Sequence, residues 1–421
     1  MRDAGAAGLR HRAHNDLRRL HDAAAGGQTG HQAPLRCRKR RLRRLVLRFI
    51  KTACIAALRV FLTVWYGLVR LFVRKKDAVA FISRESDEIT TEFRLLSEEL
   101  AVRRPQTVQI FCCKRAAKAE MGLSYIREIH SQLKALAKAR VAVIDTYCIP
   151  VSLLSHRRLT VIQLWHAITI IKQFGWQTVG KPEGTDPAVA KAMRMHHGYD
   201  AVIAGSEQMR PILAATMRQP IEKIYALGLP LSDQILATDG DEVKKRFLAA
   251  HPEAAGKRII SYVPTMRRGS AVPCRELLDA VNAAEECIFV SLHPVDLMTE
   301  IEPGDGIIVD SSFTSQDSVF FADVVVTDYS GTSAEAVLAG KPLLFYVPDI
   351  GQYTADCGLN IDPREHFPTL TYADARSMME VIRASAYDRG ALEQVRGTLV
   401  GSCDGRSTQR ITDMIVGALE A

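Results

Sequence analysis

From residue 77 onward, short apolar runs alternate with longer segments whose apolar residues recur at helical spacing. AVAFIS, TVQIFCC, RVAVIDTY, LTVIQLWH, YDAVIAGS and KIYALGLP make a first series. KRIISYVPT, ECIFVSLHP, DGIIVDSS, ADVVVTDYS and PLLFYVPD make a second. Segments such as EITTEFRLLSEELAVR and YIREIHSQLKALAKA between the runs read as helices. This alternation predicts parallel sheets with helices on both faces. The series change over near residues 228–256. The fold class expected is α/β, with two doubly wound Rossmann-like domains at 77–233 and 234–421 facing a cleft.

Upstream, the pattern is different. Residues 1–43 are rich in Ala, Gly, Arg and His without apolar periodicity and are expected to be disordered. Residues 44–76 are apolar but interrupted by charge, the longest charge-free run being Val60–Val69. At about 100° per residue, Arg48, Lys51, Arg59, Arg70 and Arg74 fall in one sector of about 140°. Phe49, Ile50, Val60, Phe61, Val64, Trp65, Leu68, Leu71 and Phe72 take the rest, although Ile55, Leu62, Val69 and Val73 intrude on the basic side. An amphipathic helix lying on an anionic membrane surface is the expectation, with Trp65 at the interface. A tilted spanning helix and a domain-packing helix are the alternatives.

Charge sharpens this picture. The chain carries a net +8, yet 14 Lys or Arg and no acid lie between Leu35 and Lys76, and the remainder is slightly acidic. One segment meeting an anionic surface fits that distribution; a nucleic-acid groove along the fold does not. The nine cysteines include no CxxC spacing, which argues for a reduced cytoplasmic protein without a zinc site.

In open α/β sheets ligands gather at the carboxyl ends of strands. His166, Thr265, Arg267, His293, Asp328 and Ser330 all stand at the ends of apolar runs. After VVVTD, the turn Ser330-Gly331-Thr332-Ser333 leads into a short helix, and Thr332 with Glu335 has capping-box spacing. Small hydroxyl residues before a helix N-terminus suit a phosphate, although a capped turn without ligand has the same sequence. Two histidines, one from each domain at the same cleft, suit a base and a donor for phosphoryl transfer to an alcohol. Arg267 and Arg268 offer phosphate neutralisation, with a solvated basic turn as the alternative. The neighbouring His196 and His197 make a poor metal pair, and Asp239-Gly240-Asp241 reads as a helix start.

FISRESDEITTEFRLLSEEL, IQLWHAITIIKQFG, YVPTMR, SLHP and DYSGTSAEAVLAGKPLLFYVPD occur in that order over about residues 78–405. Together they resemble the CDP-glycerol glycerophosphotransferase family of teichoic-acid synthesis. The resemblance implies a GT-B fold without metal or other cofactor, at the cytoplasmic face of the membrane. It implies transfer of glycerol phosphate from CDP-glycerol, or another CDP-alcohol such as CDP-ribitol, to a polyprenyl-linked acceptor, with release of CMP. It matches His166 to a catalytic base and His293 to a second essential histidine beside the donor phosphates. Thr265, Arg267, Ser330, Gly331, Thr332 and Glu335 fall in the donor motifs, and Trp165, Ala167, Thr169 and Lys172 in the acceptor or phosphate loop. Departures stand at Ile168-Thr169-Ile170, where family members often carry glycine, and at Leu231, where an arginine is usual. A nucleotide-sugar glycosyltransferase and a non-catalytic binding protein are the competing readings.

Overall fold

The structure is a computed structural model and describes residues 33–115, 122–156, 158–181, 184–267, 269–293, 296 and 298–421, with the side chains of residues 33–45 and of Leu123 excepted. The expectation for residues 1–32, and the residues Arg268 and Pro294, lie outside these. Residues 58–421 form one compact unit, and the described residues ahead of 58 are not part of it.

Two parallel six-stranded sheets carry the fold. The first comprises β1 (Ala78–Ser83), β2 (Val108–Cys113), β3 (Val141–Ile144), β4 (Thr160–Gln163), β5 (Ala201–Ile203) and β6 (Ile224–Tyr225), in the order β2-β1-β3-β4-β5-β6. The second comprises β7 (Arg258–Val263), β8 (Glu286–Val290), β9 (Ile307–Ile308), β10 (Val324–Thr327), β11 (Leu343–Tyr346) and β12 (Thr371–Tyr372), in the order β12-β11-β10-β7-β8-β9. Every strand pair is parallel. The central strands are buried along their whole length, as in VVVT of β10, because helices cover both faces. Strand order reverses between β1 and β3 and again between β7 and β10. Loops leaving such neighbours run to opposite faces and leave a crevice at the strand ends.

The last helix, Ser407–Glu420, packs back against the helix Thr91–Arg103 and β3 of the first sheet. Asp233 anchors it by accepting the backbone N–H groups of Ser407 and Thr408 at 3.0 and 2.7 Å. Gly228 permits the approach, since its φ is +73° and a Cβ there would lie 2.2 Å from Ser407 Oγ and 2.8 Å from the Ser402 carbonyl oxygen. The GLPLSD loop therefore docks the C-terminal helix. Leu231, where an arginine is usual in the family resembled, lies in the helix Pro230–Ala237, which packs at this junction.

The N-terminal helix runs from Ala33 to Phe72, starting ahead of the expected boundary at 44. Its Val46–Phe72 stretch is long and apolar enough to cross a membrane by length and composition. Leu62, Tyr66 and Val69 are buried in the hydrophobic core. These positions lie on the sector that carries Arg59 and Arg70, which explains why apolar residues intrude there. The opposite side, with Val60, Phe61, Val64, Leu68, Leu71 and Phe72, is exposed, Phe72 by 86%.

Candidate active site

A cavity of about 890 Å³ opens at the carboxyl ends of both sheets. His166 and His293 both line it, together with Trp165, Ala167, Thr169, Lys172, Thr265, Arg267, Ser330, Gly331 and Thr332. Glu335 is not among its lining residues.

On the first-sheet side, β4 stops at Gln163, and the buried Gln163 amide organises the exit. Its Oε1 accepts the Trp165 N–H at 2.9 Å, and its Nε2 donates to the Thr146 carbonyl at 3.1 Å. Trp165 adopts φ +62°, the left-handed region that costs a non-glycine residue about 1–2 kcal/mol. Its indole stacks on Phe174 with centroids 4.4 Å apart, and the His166 ring follows at 4.3 Å. His166 Nδ1 lies 3.3 Å from the Asp145 carbonyl oxygen at the end of β3. A carbonyl can only accept, so in the neutral ring Nδ1 carries the proton and Nε2 keeps its lone pair. Surrounding protein lowers the His166 pKa below its ordinary value by desolvation, while the charge of Glu85 raises it; the ring is nevertheless open to the cavity. Neutral pH therefore finds it as a base. Glu85 lay in the quoted FISRESDE stretch without a role and Asp145 outside every motif; they stand just beyond β1 and β3, and only the topology brings them to His166.

The loop after His166 packs inward the bulky residues that stand where family members often carry glycine. Ile168, Ile170 and Ile171 are buried in the core, and the Thr169 hydroxyl turns to Met209 Sδ at 3.6 Å. The next residues pair with the second sheet's half. Lys172 and Leu359 form an antiparallel bridge, Asn360 N–H donates to the Ile171 carbonyl at 2.7 Å, and Gln173 N–H donates to the Gly358 carbonyl at 3.0 Å. Bulky residues in this stretch anchor a strap between the halves.

On the second-sheet side the site sits where β7 and β10 diverge. Asp328 Oδ1 accepts the Thr265 N–H at 2.8 Å, and its Oδ2 accepts Arg267 Nη1 at 2.8 Å. Arg267 also grips Asp349 through Nε at 2.7 Å and Nη2 at 3.0 Å, and donates from Nη1 to the Thr265 carbonyl. Four of its five donors face the protein, and the two carboxylates it pairs with more than offset its charge. Arg267 lies 4.8 Å from the Tyr353 ring centroid and 5.1 Å from that of Tyr329, and the two rings stack at 4.0 Å. Its place is that of a floor beam; the expectation of a phosphate-neutralising arginine gives way to an internal ion triad. The Thr265 hydroxyl, in contrast, is buried without a hydrogen-bond partner among the described residues. An orphan of this kind costs about 1–3 kcal/mol until a ligand satisfies it.

Ser330 Oγ accepts the Thr332 N–H at 3.3 Å, and the helix Thr332–Leu338 begins after Gly331 without a side-chain cap. The capping box expected of Thr332 and Glu335 does not form, because the helix starts at Thr332 itself, one residue too early for Thr332 to be its cap. Thr314 and Asp317 make a capping box instead, at the helix Ser315–Phe321. Glu335 does not line the cavity; its Oε2 is buried and has no hydrogen-bond partner among the described residues, with burial and then the nearby charge of Glu92 raising its pKa to about 7. Asp239 caps the helix Gly240–Ala250, and among the described residues no cluster of three or more His, Cys, Asp or Glu could hold a metal.

The geometry is that of a cleft at the carboxyl ends of two parallel sheets, and known proteins share the fold. The wall teichoic acid polymerase TagF superposes with a TM-score of 0.66, covering 89% of this chain and 98% of that one at 17% identity. A teichoic acid ribitol-phosphate primase of Bacillus spizizenii W23 is 28% identical over 373 residues, 85% of this chain and 95% of the relative. A teichoic acid glycerol-phosphate primase of Bacillus subtilis 168 is 26% identical over 66% of this chain and 73% of its own length. The sequence profile of CDP-glycerol:poly(glycerophosphate) glycerophosphotransferases matches residues 66–417. A GT-B-like chain matched over that span belongs to the CDP-glycerol:poly(glycerophosphate) glycerophosphotransferase family.

Proposed function

We propose that the chain transfers glycerol phosphate from CDP-glycerol to a hydroxyl of a polyprenyl-linked, teichoic-acid-type acceptor at the cytoplasmic face of the membrane. The observation that carries this reading is the meeting of His166 and His293, one from each half, on one cavity whose wall holds the orphan Thr265 hydroxyl. The acceptor hydroxyl attacks the donor's β-phosphorus, and its proton passes to His166 Nε2. The bond between that phosphorus and the bridging oxygen breaks, CMP leaves, and a phosphodiester remains. His293 donates to the charge on the departing phosphate, while Thr265 and the Ser330-Gly331-Thr332 turn hold the diphosphate. Trp165, Ala167, Thr169 and Lys172 form the acceptor side, with Thr169 contributing packing. The helix with Arg48, Lys51, Arg59, Trp65, Arg70 and Arg74 lies in the membrane surface, so a soluble donor meets a lipid-tethered acceptor at the bilayer.

CDP-ribitol is the second reading for the donor, favoured by the extent of the match to the ribitol-phosphate primase. Release of CMP is to be measured from CDP-glycerol, CDP-ribitol and UDP-sugars, with lipid-linked acceptor and membranes present. One CDP-alcohol should release CMP, and His166→Ala and His293→Ala should each reduce the rate by at least about 100-fold, the lower range for general acid–base catalysis. Equal rates in the histidine variants, or turnover of UDP-sugars alone, would sink the proposal.

A further inference from the structure

Beyond the end of the exposed helix, cations converge from separated parts of the chain. Arg70 lies in the last turn of the helix, Lys75 follows it, Arg140 precedes β3 and Arg158 precedes β4. Lys75 Nζ donates to the Arg158 carbonyl oxygen, which fixes the ammonium in the group. Arg70 is braced over the Tyr66 ring, 5.8 Å from its centroid, and Tyr66 is itself buried against the domain. The neighbours whose charge bears on Lys75 are Arg70, Arg140 and Arg158, all cationic; with burial, they lower its pKa to about 8. None of the four forms an ion pair with a carboxylate among the described residues. Like charges gathered on a fold without an acid destabilise it, and an anion removes that cost.

We propose that Arg70, Lys75, Arg140 and Arg158 form a binding site for the phosphate of an anionic membrane lipid. The lipid, not free phosphate, is the occupant because of the neighbouring surface. Leu68, Leu71 and Phe72 are exposed and apolar just before Lys75, so the cluster stands at the edge of a face suited to acyl chains. A phosphate in the headgroup layer then sits level with the cations while Leu71 and Phe72 enter the layer below it. The guanidinium groups of Arg140 and Arg158 offer forked donors to phosphate oxygens. This inference rests on the membrane-surface reading of the helix and adds a defined headgroup site on the folded domain to it.

The test is vesicle partitioning of the full chain, on phosphatidylcholine alone and on phosphatidylcholine with phosphatidylglycerol. At about fivefold in affinity per basic residue near an anionic surface, Arg140→Gln/Arg158→Gln should weaken binding to the mixed vesicles by roughly 25-fold. Binding of that variant to phosphatidylcholine alone should be unchanged. A control double variant, Lys245→Gln/Arg389→Gln, removes the same charge elsewhere and should change binding less than twofold, an effect of about 0.4 kcal/mol. An equal loss in the control, or an unchanged affinity of Arg140→Gln/Arg158→Gln for mixed vesicles, overturns the site while leaving the helix reading intact. Failure of the parent chain to bind either vesicle overturns the helix reading instead. Competition by millimolar inorganic phosphate equal to that of an anionic lipid would assign the cluster to a soluble ligand and refute the lipid assignment. Melting curves for both double variants check that the fold is retained.

Discussion

Arg267→Lys separates two roles that a cavity-lining arginine can have. The substitution keeps the positive charge but loses the fork that spans Asp328 and Asp349. An ammonium can keep part of that set; the loss of two charge-assisted hydrogen bonds, at about 1.5 kcal/mol each, removes about 3 kcal/mol of stability. That value stands at the low end of the roughly 3–5 kcal/mol for breaking a buried pair, as expected when the charge is kept. Burial of the Asp328 and Arg267 side chains, at 1% and 6% exposed, justifies the buried-pair scale. At about 2–4 °C per kcal/mol for a domain of this size, the melting temperature should fall by about 6–12 °C.

The companion assay is a titration with cytidine, CMP and CDP. A beam under the site supports all three ligands alike, so their affinities should fall by one common factor. A phosphate ligand would show a loss that grows from cytidine to CDP. A melting temperature within about 2 °C of the parent, or less than about 1 kcal/mol, combined with weakened CDP and unchanged cytidine, would refute the ion-triad argument.

Two further substitutions test the machinery around the cavity. Glu85→Gln removes the charge that raises the His166 pKa, so the pKa should fall further below its ordinary 6.5. A general base works above its pKa and fails as pH drops through it, so the acidic limb of kcat/KM should move to lower pH; an upward or absent shift counts against Glu85 acting on His166. Gly358→Ala places a Cβ 2.4 Å from Gln173 Oε1 and 2.8 Å from Lys181 Nζ at φ +82°. It should displace the Gln173 amide and cost at least about 1 kcal/mol, seen as a lower melting temperature with a raised KM for donor. A variant as stable and as tightly binding as the parent would show that the strap does not hold the cleft.

The apolar runs exposed the architecture because a doubly covered parallel strand must be apolar throughout, and such runs leave a plain signature. The two-residue β12, Thr371–Tyr372, escaped because threonines and a tyrosine between Pro368 and Asp374 make no apolar run. The histidines were legible as strand-end residues, and the structure puts both on one cavity. Arg267 was legible as a cavity residue but not as an internal partner, since its carboxylates come from Asp328 and Asp349, distant in sequence and joined only by the β7-β10-β11 order. Glu335 misled for a local reason: a capping box depends on the helix starting at a particular residue, and hydroxyls on both Ser330 and Thr332 leave that start undetermined by sequence. The basic sector of the N-terminal helix was visible at 100° per residue, whereas the docking of that same sector through Leu62, Tyr66 and Val69 required the domain beneath it.

The imidazole of His166 owes its orientation to topology more than to any acidic partner. Because β3 and β4 are neighbours in register, with Ile144 opposite Gln163, the carbonyl of Asp145 arrives beside the first residues beyond β4. Gln163 then ties Trp165 to its own strand end, and the left-handed turn at Trp165 directs the next side chain into the cleft. Stacking on Phe174 offsets that strain, and Phe174 belongs to the loop that bridges to the other half. The strain at Trp165, the tautomer of His166 and the strap at Lys172 are therefore linked parts of one exit from one strand. A backbone carbonyl cannot be removed by substitution, so orientation of the imidazole is built into the sheet itself, while its pKa is set by burial, which lowers it, against the charge of Glu85 and the same Asp145 carbonyl, which raise it.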